Sequence, residues 1–253
     1  MNNIIPKIIH YCWFGGNPFS ELEQKCIDSW KKYMPDYKIV EWNESNFNIQ
    51  SCDYVREAYE AKKWAFVSDY ARYKILYENG GIYLDTDVEL LKPLADIIDR
   101  GNYMGCENYT KEKMKVNPGL GCASVAGHSF YKEILEEYES DHFLNEDGTP
   151  NLNYTIVDRT TELLQKHGLT NTKEIQEVDT IFVYPAEYFS PKGDIDRRLR
   201  LTSNTYSIHH YKASWVPKNV KRRTKFLKIL YRLTGKNGFN ALRKLFGKRD
   251  GRI

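Results

Sequence analysis

Two aspartates with one residue between them, Asp85 and Asp87, follow an apolar run in Gly80-Gly81-Ile82-Tyr83-Leu84-Asp85-Thr86-Asp87-Val88-Glu89. In an extended segment that spacing puts both carboxylates on one face. Such a pair is costly unless a cation neutralises it, and hard oxygen ligands suit Mg²⁺ or Mn²⁺. An ion held there is placed to bridge to substrate phosphates. On this motif alone a polar turn closing a strand is an equal reading. A metal-dependent phosphatase or nuclease is a further one, although a nucleophilic Asp-x-Asp of the phosphatase kind wants Thr or Val where Glu89 stands.

The elements needed to present these carboxylates can be read on either side of them. Residues 7–14 form an apolar strand stopped by Gly15-Gly16, and Ser20-Glu21-Leu22-Glu23 is a capping box that opens a helix running to about Tyr33. Pro35 closes it, and residues 37–42 make a second strand, completing a β-α-β unit. Residues 54–79 carry helical spacing that ends at Asn79-Gly80-Gly81, after which residues 82–84 start a buried strand. Strands at 103–106, 121–125, 180–184 and 206–211 alternate with helices at 128–138 and 155–168. The alternation predicts an α/β domain with a mainly parallel sheet. Ligands of such sheets bind at the carboxyl ends of the strands, where Asp85 and Asp87 fall.

With 253 residues, 41% hydrophobic and 28% charged, the chain is too apolar to be disordered and long enough for a large core. No window approaches the eighteen or so apolar residues of a spanning helix, and the first residues lack the pattern of a signal peptide. Cysteines 12, 26, 52, 106 and 122 are odd in number and scattered, which disfavours a zinc ribbon, a redox pair or a disulfide framework. These features predict a cytoplasmic protein.

The net charge of +3 conceals an asymmetry. From Lys218 onward there are 13 Lys and Arg against one acid, Asp250, while the first 217 residues hold 24 bases and 33 acids. The division predicts an acidic domain over 1–217 and a basic tail over 218–253. Within the tail, bases interleave with Phe226, Leu227, Ile229, Leu230, Leu233, Phe239, Leu242, Leu245 and Phe246. That pattern fits two amphipathic helices on an anionic membrane surface. It fits equally a helical pair packed on the body with a solvated basic face. Nucleic acid is not expected as a partner, because the rest of the chain is acidic and no recognition motif accompanies the bases. A non-catalytic binding module driven by the tail is the alternative to an enzyme.

Three segments together carry a resemblance. They are Pro6-Lys7-Ile8-Ile9-His10-Tyr11-Cys12-Trp13-Phe14-Gly15-Gly16; Ser68-Asp69-Tyr70-Ala71-Arg72 followed by residues 76–87; and Ile208-His209-His210-Tyr211-Lys212-Ala213-Ser214-Trp215. Their combination and order resemble glycosyltransferase family 32, the capsular-polysaccharide and yeast mannosyltransferase type, and more distantly the glucosylating domain of large clostridial toxins. The resemblance implies a GT-A fold, a Rossmann-like mixed sheet flanked by helices, here with a basic helical C-terminal tail. It implies retaining transfer of a hexose or N-acetylhexosamine from a nucleotide-sugar, UDP-sugar first, with Mn²⁺ or Mg²⁺. The implied acceptor is a glycan or polyprenyl-diphosphate-linked glycan in bacterial surface polysaccharide synthesis, reached by a protein peripheral at the inner face of the plasma membrane.

By the same resemblance, Trp13 stacks on the donor's base, and Asp69 and Arg72 contact its ribose, sugar or diphosphate. Tyr83 lies beside the donor, Asp85 contacts donor and metal-bound water, and Asp87 ligates the metal. Asp85, Asp87 and Arg72 are then the catalytic set. His210-Tyr211-Lys212-Ala213-Ser214 resembles a histidine-containing stretch of related GT-A enzymes whose histidine joins the metal, which makes His210 a third ligand; the toxins use other side chains there. Ser214 and Trp215 then close over the diphosphate, and Lys212 offsets its charge. Residues 117–121 could frame the donor sugar. No residue stands out as a nucleophile, so the expected mechanism is front-face attack.

Overall fold

The computed structural model describes residues 4–109, 114–192 and 198–212, with seven α-helices and ten strands among them. A larger unit comprises residues 1–191 and 201–212; a smaller one comprises residues 192–200 and 213–253. In the smaller unit the described residues include an antiparallel bridge between Lys192 and Leu199. All that follows concerns the larger unit.

Its N-terminal half is β1 (Ile8–Cys12), α1 (Glu21–Tyr33), β2 (Lys38–Trp42), α2 (Asp53–Glu60), α3 (Trp64–Asn79), β3 (Gly81–Tyr83) and β4 (Val88–Leu90). After α4 (Ala95–Ile98) come β5 (Asn102–Tyr109), β6 (Met114–Val116), a 3-10 turn (Pro118–Leu120), β7 (Cys122–Ser124) and α5 (Ser129–Glu139). The unit is completed by α6 (Ile156–Lys166), β8 (Gln176–Val178), β9 (Ile181–Tyr184), α7 (Ala186–Phe189) and β10 (Ser207–His209).

The main sheet runs β2-β1-β3-β7-β5-β9-β8, with β6 on β5. β1 is parallel to β2 and β3, and β5 to β9, whereas β7 lies antiparallel to both β3 and β5. The sheet is therefore mixed rather than mainly parallel. The parallel β2-β1-β3 edge still delivers three carboxyl ends to one side, which puts Trp42, Trp13 and the Asp85 turn along a single rim.

Local chemistry explains the elements. The capping box at α1 forms, with Glu23 Oε2 accepting from the Ser20 N–H at 2.8 Å. The helical spacing over 54–79 is broken in two, with Lys62 at φ 56 between α2 and α3. Helix α3 ends where Gly80 turns to φ 63 and its N–H caps the Leu76 carbonyl. A Cβ on Gly81 would meet the Ile8 carbonyl at 2.8 Å, so β3 can pair with β1 this closely only without a side chain there. On one face of the sheet, Val67, Tyr70, Tyr73, Phe130, Tyr131, Tyr138 and Phe143 form an aromatic-rich core; on the other, Trp30, Ile9, Ile82 and Tyr103 are buried. His10 is enclosed between the layers, accepting from Trp42 Nε1 at 3.0 Å and facing the Gly80 carbonyl at 3.0 Å through Nε2. Burial lowers its pKa to about 4, so it is neutral.

Candidate functional site

Asp85 and Asp87 stand in the turn between β3 and β4, closed by a hydrogen bond from the Val88 N–H to the Asp85 carbonyl at 2.9 Å. A turn, rather than one face of a straight strand, brings the two carboxylates together. Strand β4 is fixed from behind by α1: the Trp30 indole N–H donates to the Val88 carbonyl at 2.7 Å, and the Leu90 N–H donates to Ser29 Oγ at 2.9 Å.

The third member comes from the far end of the unit. β10 pairs antiparallel with β4, opposing His209 to Val88, and the His210 N–H donates to the Asp87 carbonyl at 3.0 Å. His209 Nε2 then lies 2.9 Å from Asp87 Oδ1 and 4.0 Å from Asp85 Oδ2. His210, the histidine expected as a metal ligand, points instead to Glu89, 2.8 Å away, which also pairs with Lys25. Successive side chains of an extended segment face opposite ways, so only one of the two histidines can meet the aspartates. The sequence pattern favours the neighbour because it does not reveal the pairing of β4 with β10; the strand-like Val88-Glu89-Leu90 is the signal that could have found it.

One ligand atom from each of Asp85, Asp87 and His209 lies within 4.8 Å of the other two. Ligands in adjacent positions around a small six-coordinate ion sit roughly 3 Å apart, so a modest closure of the Asp85 side would seat a divalent cation. Carboxylate oxygens with one imidazole suit Mn²⁺ or Mg²⁺ more than a thiolate-seeking metal. His209 Nδ1 is buried with no hydrogen-bond partner, which leaves the ring oriented by Nε2 alone. The charges of the site are strongly coupled. Burial alone would lower the pKa of His209, but Asp87 and then Asp85 raise it. Burial would raise Asp87, yet His209 and the Lys212 N–H, 2.8 Å from Oδ2, bring it down to about 2. Asp85 is raised by burial against the pull of Arg72 and His209.

Asp69 and Arg72 share one face of α3 as the spacing predicts. Arg72 Nη2 is 2.9 Å from Asp69 Oδ1 and 3.3 Å from Asp85 Oδ1, and the guanidinium lies over the Tyr83 ring at 4.8 Å. Tyr83 is buried beneath Arg72 and supports it. Burial lifts Asp69 to about 7 even beside Arg72. Burial would lower Arg72, but Asp85 and its other anionic neighbours hold it firmly charged. The turn at 117–121 borders the same carboxylates: a Cβ on Gly119 would fall 2.3 Å from Asp85 Oδ2.

The remaining expected residues divide. Trp13 is half-buried on the rim, tilted against Phe19 at 4.5 Å, with its indole N–H on the Asn17 carbonyl. The Lys212 ammonium does not face the aspartates but pairs with the buried Glu23 at the start of α1, 2.5 Å away. Ser214, Trp215 and the tail 218–253 lie outside the described residues. Among the described residues, no helix is long and apolar enough to cross a membrane.

Comparison with known proteins gives related sequences and a related fold. Residues 20–104 match the family described as "Glycosyltransferase sugar-binding region containing DXD motif". The chain is 27% identical over 231 residues to "Uncharacterized glycosyltransferase L373" of Acanthamoeba polyphaga mimivirus, a match covering 85% of each chain. It is 31% identical over 138 residues to "Inositol phosphoceramide mannosyltransferase 3" of Schizosaccharomyces pombe, covering 52% of this chain and only 36% of that one. Among solved structures, "PaToxG Glycosyltransferase" superposes with a TM-score of 0.51 at 19% identity, over 64% of this chain and 69% of that one, a likeness of fold.

Proposed function

We propose that this chain, whose residues 20–104 match the DXD sugar-binding family and whose fold is like that of a glycosyltransferase, moves a hexose or N-acetylhexosamine from a nucleotide-sugar, UDP-sugar first, to a glycan acceptor with retention of anomeric configuration. The observation that carries this reading is the convergence of Asp85, Asp87 and His209 at the carboxyl rim of the parallel strands, with Arg72 behind them. Asp87 and His209, with Asp85, would hold Mn²⁺ or Mg²⁺. Held by these residues, such a cation would supply electrostatic stabilisation of charge on the departing diphosphate.

The side chains divide the remaining work. Arg72, permanently charged and buried, orients Asp85 and adds positive potential at the leaving group. Asp69 fixes Arg72 and offers an acceptor for donor hydroxyls. Trp13, on the same rim, supplies a flat surface for the base. In the transfer, the acceptor oxygen forms a bond to the anomeric carbon as the bond from that carbon to the diphosphate oxygen breaks. Attack comes from the face the leaving group departs, and the acceptor's hydroxyl proton passes to a β-phosphate oxygen. No carboxylate of the site need become a nucleophile, since Asp85 faces Arg72 through Oδ1 and, with Asp87, would be engaged in holding the cation.

For the acceptor we propose a lipid-linked glycan, a polyprenyl diphosphate of surface polysaccharide synthesis, met at the inner face of the plasma membrane. Its support is the basic, apolar-interleaved tail sequence, and a relative whose name records a lipid acceptor. Calorimetric titration with UDP and GDP, with and without Mn²⁺, tests the donor side. Metal-dependent binding that disappears in Asp87→Ala is expected, and failure to bind either nucleotide would overturn it. Liposome flotation with and without residues 218–253 tests the membrane side; equal flotation would remove the tail from the account.

A further inference from the structure

Gly119 is buried in the 3-10 turn, yet its φ lies outside the left-handed region, so its backbone does not demand glycine. What demands it is space. A Cβ there would sit 2.3 Å from Asp85 Oδ2, 3.0 Å from Asn117 Oδ1 and 3.1 Å from Arg72 Nη1. The Asp85 carboxylate thus rests on the α-carbon of Gly119, with Oδ1 toward Arg72 and Oδ2 toward the turn and His209. The turn therefore bounds the position of the Asp85 carboxylate on that side.

Besides its backbone hydrogen bonds, the turn is tied to the sheet through the Asn117 side chain. Asn117 is buried, its Oδ1 accepts from the Gly119 N–H at 2.8 Å, and its Nδ2 donates to Glu107 Oε2 at 2.7 Å. Its own N–H donates to the Gly105 carbonyl at 2.9 Å. Glu107 and Gly105 belong to β5, which is paired to three other strands. A line of contacts therefore runs from the sheet through Glu107 and Asn117 to Gly119 and Asp85. Only a primary amide satisfies both ends of this link, because one oxygen must meet a backbone N–H while a donor meets a carboxylate. Aspartate at 117 would set two carboxylates against each other.

We propose that Asn117, braced by Glu107, is a positioning residue that sets the Asp85 carboxylate for donor and cation through the Gly119 turn. The inference rests on the glycosyltransferase reading of the same site and adds the device that orders it. Groups that orient a metal-binding carboxylate typically account for about 10- to 100-fold in metal affinity or activity.

A swap cycle in the full chain tests it: Asn117→Asp, Glu107→Gln, the double variant, and Gly119→Ala. Donor KM, acceptor KM, kcat, half-activation by Mn²⁺ and melting temperature are measured for each. Asn117→Asp is expected to raise donor KM and the Mn²⁺ requirement about tenfold with acceptor KM little changed. The double variant, in which the new glutamine amide donates to the new aspartate, is expected to recover to within about threefold of wild type. Gly119→Ala is expected to lose at least as much as Asn117→Asp. A double variant no better than the single one, or losses that merely track melting temperature and fall equally on both substrates, would overturn the proposal. A crystal structure of Gly119→Ala supplies a readout independent of activity. There Asp85 is expected to turn away from Arg72; an unmoved Asp85 refutes the positioning role whether or not the wild type transfers sugar. An inactive wild type with a displaced Asp85 would refute the enzyme reading alone.

Discussion

Asp69 offers a stability test of the site's electrostatics. It is buried against Arg72, and burial lifts its pKa from the ordinary value of 3.8 to about 7. A carboxylate whose folded pKa exceeds its unfolded one stabilises the fold less as pH rises: the unfolded chain releases the proton near pH 4, the folded one only near pH 7. Across that window the wild type forfeits up to about 4 kcal/mol, from about three pH units at about 1.4 kcal/mol each. An asparagine in its place would keep the oxygen that accepts from Arg72 but carry no proton to lose. The stability difference between Asp69→Asn and wild type should therefore shift in favour of the variant between pH 4 and pH 8. At a few degrees per kcal/mol for a domain of this size, the relative melting temperatures should move by on the order of 10 °C. The assay is thermal unfolding of both proteins by circular dichroism in matched buffers. Parallel curves would refute the reasoning, since Asp69 would then ionise in the fold as it does in water. The same variant should lose transfer activity, a gain in stability at the expense of a working group.

Three other outcomes are expected. His10, whose pKa burial lowers to about 4, refuses a proton that the unfolded chain accepts below about pH 6.5; wild-type stability should fall by about 3 kcal/mol as pH drops through that window, and urea denaturation at pH 7 and pH 4.5 should show a smaller fall in His10→Gln. Lys212→Met should lower stability by about 1–3 kcal/mol by removing the cation from the buried Glu23, which keeps only its Ser20 donors, and Glu23→Gln in the same chain should recover part of it; a donor KM raised with stability unchanged would instead place the ammonium at the donor. His209→Gln should weaken Mn²⁺ binding at least about tenfold, whereas His210→Gln should leave it within about twofold, as read by electron paramagnetic resonance titration of free Mn²⁺.

Much of this site is visible in the sequence because its parts are local. Asp69 and Arg72 are three apart on a helix, Gly80-Gly81 marks the change from helix to strand, and Asp85 and Asp87 follow at once. Each of these is fixed by chain geometry within a few residues. Periodicity gives poorer access to contacts closed over long separations. The antiparallel insertion of β7 makes the sheet mixed, and the pairing of β4 with β10 selects His209 over His210 across 121 residues. Charge suggests Lys212 for the diphosphate without revealing that its ammonium pairs with a buried carboxylate at the start of α1, across 189 residues. Gly119 falls in a segment whose composition suggests a frame for the donor sugar; its clearance for Asp85 depends on a turn whose anchor, Glu107, lies on a different strand.

The central claim is that Asp85, Asp87 and His209 hold the cation that meets the donor's diphosphate. An anomalous difference map from crystals grown with Mn²⁺ and a nucleoside diphosphate tests it most directly. The account predicts one strong peak within coordination distance of Asp87 Oδ1 and His209 Nε2, with diphosphate oxygens completing the shell. A peak between His210 and Glu89, or nucleotide bound at the rim with no metal beside Asp87, would contradict it.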